Sequence, residues 1–259
     1  MFCCVKSKFL KKTLKPFILI LVLILILSVF LDQKNTAVAL LYGYSLKEVP
    51  IYRVERDDKK IAISFDCAWG NEYTDELLKH MNFYNVKCTF FTVSFWAERY
   101  PEEIKKIVDA GHEIGTHSKT HSYMSKQNSE EINAELEYST QIIEKLTNKK
   151  VELFRAPYGD YDDLLLQCAK SRGLYTIQWD VDSLDWKDLS AKEISMRVVS
   201  KVKSGSIILC HNNGLHTAES LPLIFSTLQA QGYEFVKISE LIYRDNYKMG
   251  VDGSQIKVQ

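Results

Sequence analysis

The sequence predicts an α/β fold in which about seven parallel strands form a closed or nearly closed barrel. Short apolar or β-branched runs alternate with helical patterns seven times between residues 59 and 243. Several of these runs are apolar nearly throughout, as is typical of strands that are covered on both faces. Strand–helix alternation builds a parallel sheet, and this many units in one domain favour a barrel over an open sheet.

The predicted strands share short length and apolar or β-branched composition. They are residues 60–66, 88–93, 113–117, 153–156, 176–181, 207–211 and 235–238. Helical patterns lie between them, at residues 73–84, 102–110, 162–172 and 218–231, and two more begin at Asn128 and Ser190. Asn128 with Glu131 and Ser190 with Glu193 have the spacing of capping boxes, which begin helices. Glycines at 111, 173 and 232 end three of the helices.

The first 31 residues have the pattern of a membrane-targeting segment. Residues 1–16 contain five lysines and no acidic residue, and residues 17–31 are apolar except for Ser28. This order predicts a cytoplasmic basic segment at 1–16 and export of the rest of the chain. The apolar run spans only about 22 Å of a hydrocarbon core of about 30 Å. Since residues 37–39 offer a small-x-small cleavage site, the run is either a single-pass anchor or the core of a signal peptide.

Residues 32–58 are predicted to be a linker, residues 59–243 the folded domain and residues 244–259 a frayed tail. Lys plus Arg and Asp plus Glu are both 33, so the net charge is zero and nothing indicates a nucleic-acid partner. The six cysteines show no C-x-x-C spacing. Cys88 and Cys168 are therefore predicted to be buried free thiols rather than parts of a disulfide framework.

Polar and ionisable residues follow five of the predicted strands at their C-terminal ends. They occur in segments 66–67, 117–121, 155–159, 182–186 and 209–211. Because the C-terminal ends of barrel strands meet at one face, we expect these segments to form a single site.

His117 and His121 are four residues apart in the second of these segments. On a helical turn both imidazoles would share a face and could bind one metal ion. Zinc suits imidazole, and a third carboxylate or thiolate ligand would leave one position open for water. The alternative is a surface pair of histidines, but a strand end facing Asp66 favours the metal.

Asp66 and His211 each end an apolar strand, where a polar group is costly unless it is paired or functional. Asp66 is either the partner of Arg155 in a structural salt bridge or a general base held by that arginine. His211 is either a satisfied core histidine or a general acid oriented by Asp185. His216 lies in a loop near the site, and its role stays open.

Five sequence segments, in this order, resemble the motifs of the polysaccharide deacetylases, also called the NodB-homology family or carbohydrate esterase family four. They are FDCAWG, HSKTH, RAPYG, DSLDW and LCH, and the similarity runs from about residue 59 to residue 242. The resemblance implies a distorted (β/α) barrel and a metal-dependent hydrolase that removes N-acetyl groups from a polysaccharide.

The resemblance also implies roles for individual residues. His117 and His121 would bind a divalent metal, usually zinc. Asp66 would be the base that activates water, and Arg155 would hold and tune Asp66. His211 would protonate the leaving amine.

The same resemblance implies roles for four further residues. Asp185 would tune His211, and the backbone N–H of Tyr158 would form an oxyanion hole. Trp186 and Leu209 would line the pocket for the acetyl methyl group. Hydrolysis of an amide needs a general acid as well as an oxyanion hole, because the amine is a poor leaving group until it is protonated.

Cys67 departs from the family pattern, which usually has a second aspartate at this position as a metal ligand. A thiolate can ligate zinc, so Cys67 is a candidate third ligand. Alternatively, Cys67 is an inert thiol, and Asp66 or water completes the metal site.

FDCAWG with Trp69, and the segment SFWAERYPE, most resemble a subgroup of these deacetylases that is linked to sporulation. This implies peptidoglycan as substrate, with deacetylation of N-acetylglucosamine or N-acetylmuramic acid. Two other hypotheses stay open. One is a wall-binding protein that has lost catalysis, which Cys67 favours, and the other is a deacetylase of chitin oligomers or of ester-linked acetyl groups.

Overall fold

In the computed structural model, which describes Ser28 and residues 48–258, a parallel sheet carries the candidate site. The strands in chain order are β1 (Arg53–Val54), β2 (Lys60–Cys67), β3 (Thr89–Thr92), β4 (Glu113–Thr116), β5 (Leu153–Phe154), β6 (Tyr175–Thr176), β7 (Val181–Asp182), β8 (Ile207–His211), β9 (Glu234–Phe235), β10 (Tyr247–Met249) and β11 (Ser254–Lys257). The large sheet has the order β6-β5-β4-β3-β2-β8-β7, with β9 also pairing with β2. All of its pairings are parallel, so the predicted fold class, a distorted barrel of about seven parallel strands, is confirmed.

Helices cover the sheet. They are α1 (Thr74–Phe83), α2 (Ser94–Arg99), α3 (Pro101–Asp109), α4 (Ser129–Thr147), α5 (Asp163–Ser171), α6 (Ala191–Lys201), α7 (Thr217–Ala230) and α8 (Ile238–Leu241). Both predicted capping boxes are present, at the starts of α4 and α6. The short helices α2 and α8 were not predicted, because four to six residues are too few for a helical period to show in a sequence.

The central strand β2 explains why the sheet is apolar on both faces. Ile63, Phe65 and Cys67 of β2 pack in the larger core cluster, which contains residues of the surrounding helices. Ala62, which points to the other face of β2, packs in a second cluster with Phe91. Burial of alternate residues on both sides requires the nearly continuous apolar run that the sequence shows.

The predicted strand at 176–181 is wrong as a single strand. It is two short strands, β6 and β7, which lie at opposite ends of the sheet order. The carboxylate of Asp180 accepts hydrogen bonds from the backbone N–H of Ile207 and the hydroxyl of Ser206, both at 2.9 Å. Asp180 thereby attaches the chain to the start of β8. The segment therefore leaves β6 at one edge of the sheet and continues as β7 at the other edge, beside β8.

The predicted linker and tail contain regular structure. β1, within the predicted linker, pairs in parallel with β11, which pairs antiparallel with β10. Residues 247–257 are therefore part of a small three-stranded sheet, and the expectation of a frayed tail is wrong there. The sequence could not show this because β1 is only two residues long and its partner is about 200 residues away.

The predicted basic segment 1–16 and apolar run 17–31 lie outside the described residues, except for Ser28. Within the part that is described, no helix has both the length and the apolar character needed to cross a bilayer. Cys67, Cys88, Cys168 and Cys210 are buried and free, which confirms the prediction for Cys88 and Cys168.

Candidate active site

A cavity of about 680 Å³ opens at the C-terminal ends of the strands of the large sheet. Seven of the predicted site residues line it: Asp66, His117, His121, Tyr158, Trp186, Leu209 and His211. Arg155 and Asp185 are fully buried and contact the cavity only through the residues they bind. Cys67 is not part of the lining.

Asp66 is held at the base of the cavity by a buried ion pair. It ends the apolar part of β2, and Arg155 Nη1 donates a hydrogen bond to Asp66 Oδ1 over 2.7 Å. Arg155 is itself fixed, since it donates to the backbone carbonyls of Gln178 (3.1 Å) and Ile177 (3.4 Å). Burial alone would raise the pKa of Asp66, but Arg155, through its charge and hydrogen bond, together with His117 and His211, lowers this pKa. Asp66 is therefore a carboxylate.

His211 lies directly beside Asp66, because the two residues are register partners on the neighbouring strands β2 and β8. Asp185 Oδ1 lies 2.7 Å from His211 Nδ1, and Asp185 Oδ2 accepts the backbone N–H of His211, also over 2.7 Å. Burial would lower the pKa of His211, but the hydrogen bond and charge of Asp185 raise it overall. The hydroxyl of Thr217, at the start of α7, donates to Asp185 Oδ2 over 2.6 Å and completes this arrangement.

His117 and His121 approach each other, with ring centroids 5.0 Å apart. They do not share a helical face, because residues 117–121 form no helical turn. Residues 117–121 form an irregular turn in which Ser118 (φ +75°) and His121 (φ +58°) adopt the left-handed conformation. Such strain in non-glycine residues persists only where surrounding contacts fix it, and it is concentrated at functional sites.

Both imidazoles are suited to ligate a metal. Burial lowers the pKa of His117, and it lowers the pKa of His121 to about 4, so both rings are neutral. His117 Nδ1 lies 2.8 Å from the carbonyl oxygen of Arg155, which orients the ring so that Nε2 lies 3.5 Å from Asp66 Oδ2. His121 Nδ1 is buried and has no hydrogen-bond partner, which is the state expected of a nitrogen that a metal would satisfy.

Cys67 lies away from these two rings. Its side chain packs in the larger core cluster, and its Sγ contacts the carbonyl oxygen of Phe65 at 3.8 Å. Burial raises the pKa of this thiol well above its usual range, so the thiolate that zinc requires is disfavoured. The structure thus does not bring Cys67 together with His117 and His121, because adjacent residues of a strand point to opposite faces.

The donor set for a metal is therefore incomplete. Two neutral imidazoles fit a divalent cation, whereas the position that would supply the third ligand points into the core. Consistent with this, no group of three or more His, Cys, Asp and Glu side chains suited to a metal is found in the described residues.

Tyr158 and Trp186 both line the cavity, and both are exposed. Tyr158 lies in the turn Pro157–Gly159 with φ +61°, again left-handed. Gly159 follows with φ +68°, and a Cβ there would lie 2.9 Å from the ring of Trp179, so only glycine fits this turn. Trp186 belongs to a 3₁₀ turn (Asp185–Lys187) whose flanking residues Leu184 and Asp188 are also left-handed.

Several contributors to the site gave no usable signal in the sequence. Thr217 begins a helix and shows no link to Asp185 until the chain is folded. Trp179, Asn213 and Tyr73 line the cavity from loops and a helix end. Trp69 was noted only as part of a motif, yet its ring contacts His121 edge-on, with centroids 4.8 Å apart. His216 does not line the cavity; its Nδ1 lies 3.0 Å from Glu219 Oε2.

Comparison with known proteins agrees with this geometry. Residues 53–177 match the family model described as polysaccharide deacetylase. A peptidoglycan-N-acetylglucosamine deacetylase of Bacillus cereus (strain ATCC 14579) is 34% identical over 205 residues, which cover 77% of this chain and 93% of that protein. The YlxY protein of Bacillus subtilis (strain 168) is 33% identical over 198 residues, and the match covers 76% of this chain but only 62% of YlxY.

A solved structure is also similar. Wild-type BA3943 of Bacillus anthracis, described as a pseudoenzyme of carbohydrate esterase family four, superimposes with a TM-score of 0.72 and 33% identity. The match covers 82% of this chain and 73% of that one. A mutant of BA3943 is described as having restored enzymatic activity.

Proposed function

Because this chain belongs to the polysaccharide deacetylase family, we propose that it is a hydrolase that removes N-acetyl groups from amino sugars of peptidoglycan. One observation carries the proposal: a carboxylate and an imidazole with opposite pKa shifts lie side by side at the base of one cavity. Asp66 is held as a base by Arg155, and His211 is held as an acid by Asp185. Amide hydrolysis requires both.

The reaction divides between these two groups. Asp66 takes a proton from the attacking water, and its low pKa keeps it ionised for this step. His211 gives a proton to the departing amine, which turns a poor leaving group into a neutral amine. When bound by His117 and His121, a divalent metal such as zinc supplies Lewis-acid polarisation of the acetyl carbonyl.

The rest of the cavity positions the acetyl group. The backbone N–H of Tyr158 donates to the oxygen on which negative charge develops, a contribution that is typically about 3–4 kcal/mol. Trp186 and Leu209 provide apolar surface for the methyl group. The left-handed backbone of Tyr158 supports this role, because it sets the direction of that N–H. Such a strained conformation is unfavourable for a residue with a Cβ and is concentrated at functional sites.

A second function is favoured by Cys67. With its thiol in the core, the third metal ligand is missing, and a member of the family could bind wall polysaccharide without hydrolysing it. The similarity to BA3943, which is described as a pseudoenzyme, supports this alternative. Intact Asp66, His211 and Asp185 support the enzyme.

We further propose that the protein acts outside the cytoplasm, attached through its N-terminal apolar segment or released after cleavage. The basic-then-apolar order of residues 1–31 supports export. The resemblance of the FDCAWG segment to the sporulation-linked subgroup supports a role in the wall of sporulating cells.

Acetate release from N-acetylated peptidoglycan by the full chain tests the function. The assay is run with zinc, after chelation, and with His117→Ala, alongside His80→Ala as a matched control, since His80 lies on α1 and does not line the cavity. Release that requires both the metal and His117 supports the deacetylase. If metal binds but none of peptidoglycan, chitin oligomers and acetyl esters releases acetate, the substrate assignment is wrong. If no metal binds and no acetate is released, the binding function replaces the deacetylase.

A further inference from the structure

A second tyrosine, which lies outside the cavity lining, contacts the strained turn that carries Tyr158. The left-handed conformation of Tyr158 (φ +61°, ψ 5°) is unfavourable for a side chain with a Cβ, so other contacts must compensate for it. The ring of Tyr158 stacks on that of Tyr123, with centroids 4.2 Å apart and planes inclined by 14°. This near-parallel contact is an obvious source of compensation.

The tyrosine pair continues a series of ring contacts that begins beside the candidate metal ligands. Trp69 contacts His121 edge-on at 4.8 Å, and His121 contacts Tyr158 edge-on at 4.6 Å. Tyr123 follows, and Lys126 Nζ covers it, 4.7 Å from its ring centroid. The His121 imidazole thus contacts the rings of Trp69 and Tyr158, and the Tyr158 ring is in turn stacked on Tyr123.

A hydrogen bond joins the same two loops. Ser125 donates its hydroxyl proton to Asp160 Oδ2, which links the segment after β4 to the turn after β5. Tyr123 is about half exposed and does not line the cavity, and its ring reaches the lining through its contact with Tyr158. We therefore expect its effect on the site to pass through Tyr158.

We propose that Tyr123 is a positioning residue that fixes Tyr158 in its left-handed conformation and, through the Tyr158 ring, fixes the His121 imidazole. Its consequence for catalysis rests on the proposed deacetylase function, whereas its consequence for the geometry of Tyr158 and His121 does not. Loss of the Tyr123 ring releases the turn, so that the Tyr158 N–H and the His121 imidazole lose their preferred directions together.

The experiment compares Tyr123→Ala with Tyr123→Phe in the full chain. Phenylalanine keeps the stacked ring and removes only the hydroxyl group. In metal-free protein, the amide resonance of Tyr158 and the ring-proton resonances of His121 shift in Tyr123→Ala and stay in place in Tyr123→Phe. Zinc affinity, measured by competition with a chromophoric chelator, falls roughly three- to ten-fold in the alanine variant, the range that one aromatic pair supports. The kcat falls by a similar factor, while KM changes little.

Tyr138→Ala is the matched control. Tyr138 is another exposed tyrosine whose ring is covered by a lysine, with Lys119 Nζ 4.4 Å from its centroid, and it has no ring contact with Tyr158. Unchanged resonances of Tyr158 and His121 in a folded Tyr123→Ala protein would overturn the proposal, whatever the activity. If the wild-type chain releases no acetate but the resonances respond as expected, the deacetylase function fails and the positioning role stands.

Discussion

The ion pair between Arg155 and Asp66 makes a strong prediction about stability, because both side chains are buried and the pair is joined by a 2.7 Å hydrogen bond. We consider Arg155→Met, which keeps much of the volume and removes the charge. Charges about 4 Å apart in an effective dielectric of about 20 attract by about 4 kcal/mol. Loss of one partner from a buried pair typically destabilises by about 3–5 kcal/mol, and we expect this range at pH 7.

The pH dependence identifies Asp66 as the cause. In the wild type the pKa of Asp66 is below its unfolded value, so its contribution to stability is complete above about pH 4 and is lost as the pH falls further. In Arg155→Met, the largest interaction that opposes burial is absent, so burial raises this pKa above the unfolded value. Asp66 of the folded variant then takes up a proton more readily than in the unfolded chain. The loss of stability relative to the wild type therefore becomes smaller as the pH falls from 7 towards 5.

Urea denaturation of the full chain at pH 7 and pH 5, with a chelator present, measures both effects. The double variant Asp66→Asn/Arg155→Met provides the control, because it contains neither charge and so leaves no buried charge without its partner. The double variant should therefore lose less than the sum of the two single variants. A deficit below about 1 kcal/mol for Arg155→Met that does not change with pH would refute the reasoning.

Two further predictions concern the chemistry of the site. Asp185→Asn removes the charge that raises the pKa of His211, so the high-pH limb of the kcat profile should move to lower pH. A limb that stays in place in Asp185→Asn would exclude His211 as the acid. Cys67→Ala should leave zinc affinity unchanged, because the thiol faces the core, and Cys67→Asp should reduce stability without tightening zinc binding, because its carboxylate would be buried in the same core. Competition titration and thermal melting measure these, and weaker zinc binding by Cys67→Ala would restore Cys67 as a ligand.

Much of the fold could be read from the sequence, because its strands are apolar on both faces and its helices carry local start signals. The capping boxes at Asn128 and Ser190 are contacts between residues three apart, so no tertiary information is needed to predict them. The segment 176–181 shows the limit. Its composition is that of a strand, but the side chain of Asp180 bonds to the start of β8, and only the folded chain reveals that partner.

The part of the candidate site that lies at the C-terminal ends of the strands was predictable from the sequence. Asp66, His117, Arg155 and His211 all lie at or just beyond the C-terminal ends of parallel strands, so their meeting at one face follows from topology. The roles of Thr217 and Tyr123 were not predictable, since each acts through a contact between segments that are distant in sequence.

The sequence by itself determined the fold class, the family and the face on which the chemistry lies, because strand periodicity and strand-end residues are local patterns. Only the tertiary structure decided the directions of side chains at that face. It turned Cys67 into the core while Asp66, one residue earlier, enters the cavity, because consecutive strand residues point to opposite sides. It also shifted the pKa values of Asp66 and His211 in opposite directions, because burial and a neighbouring charge act on a pKa only once the chain is folded.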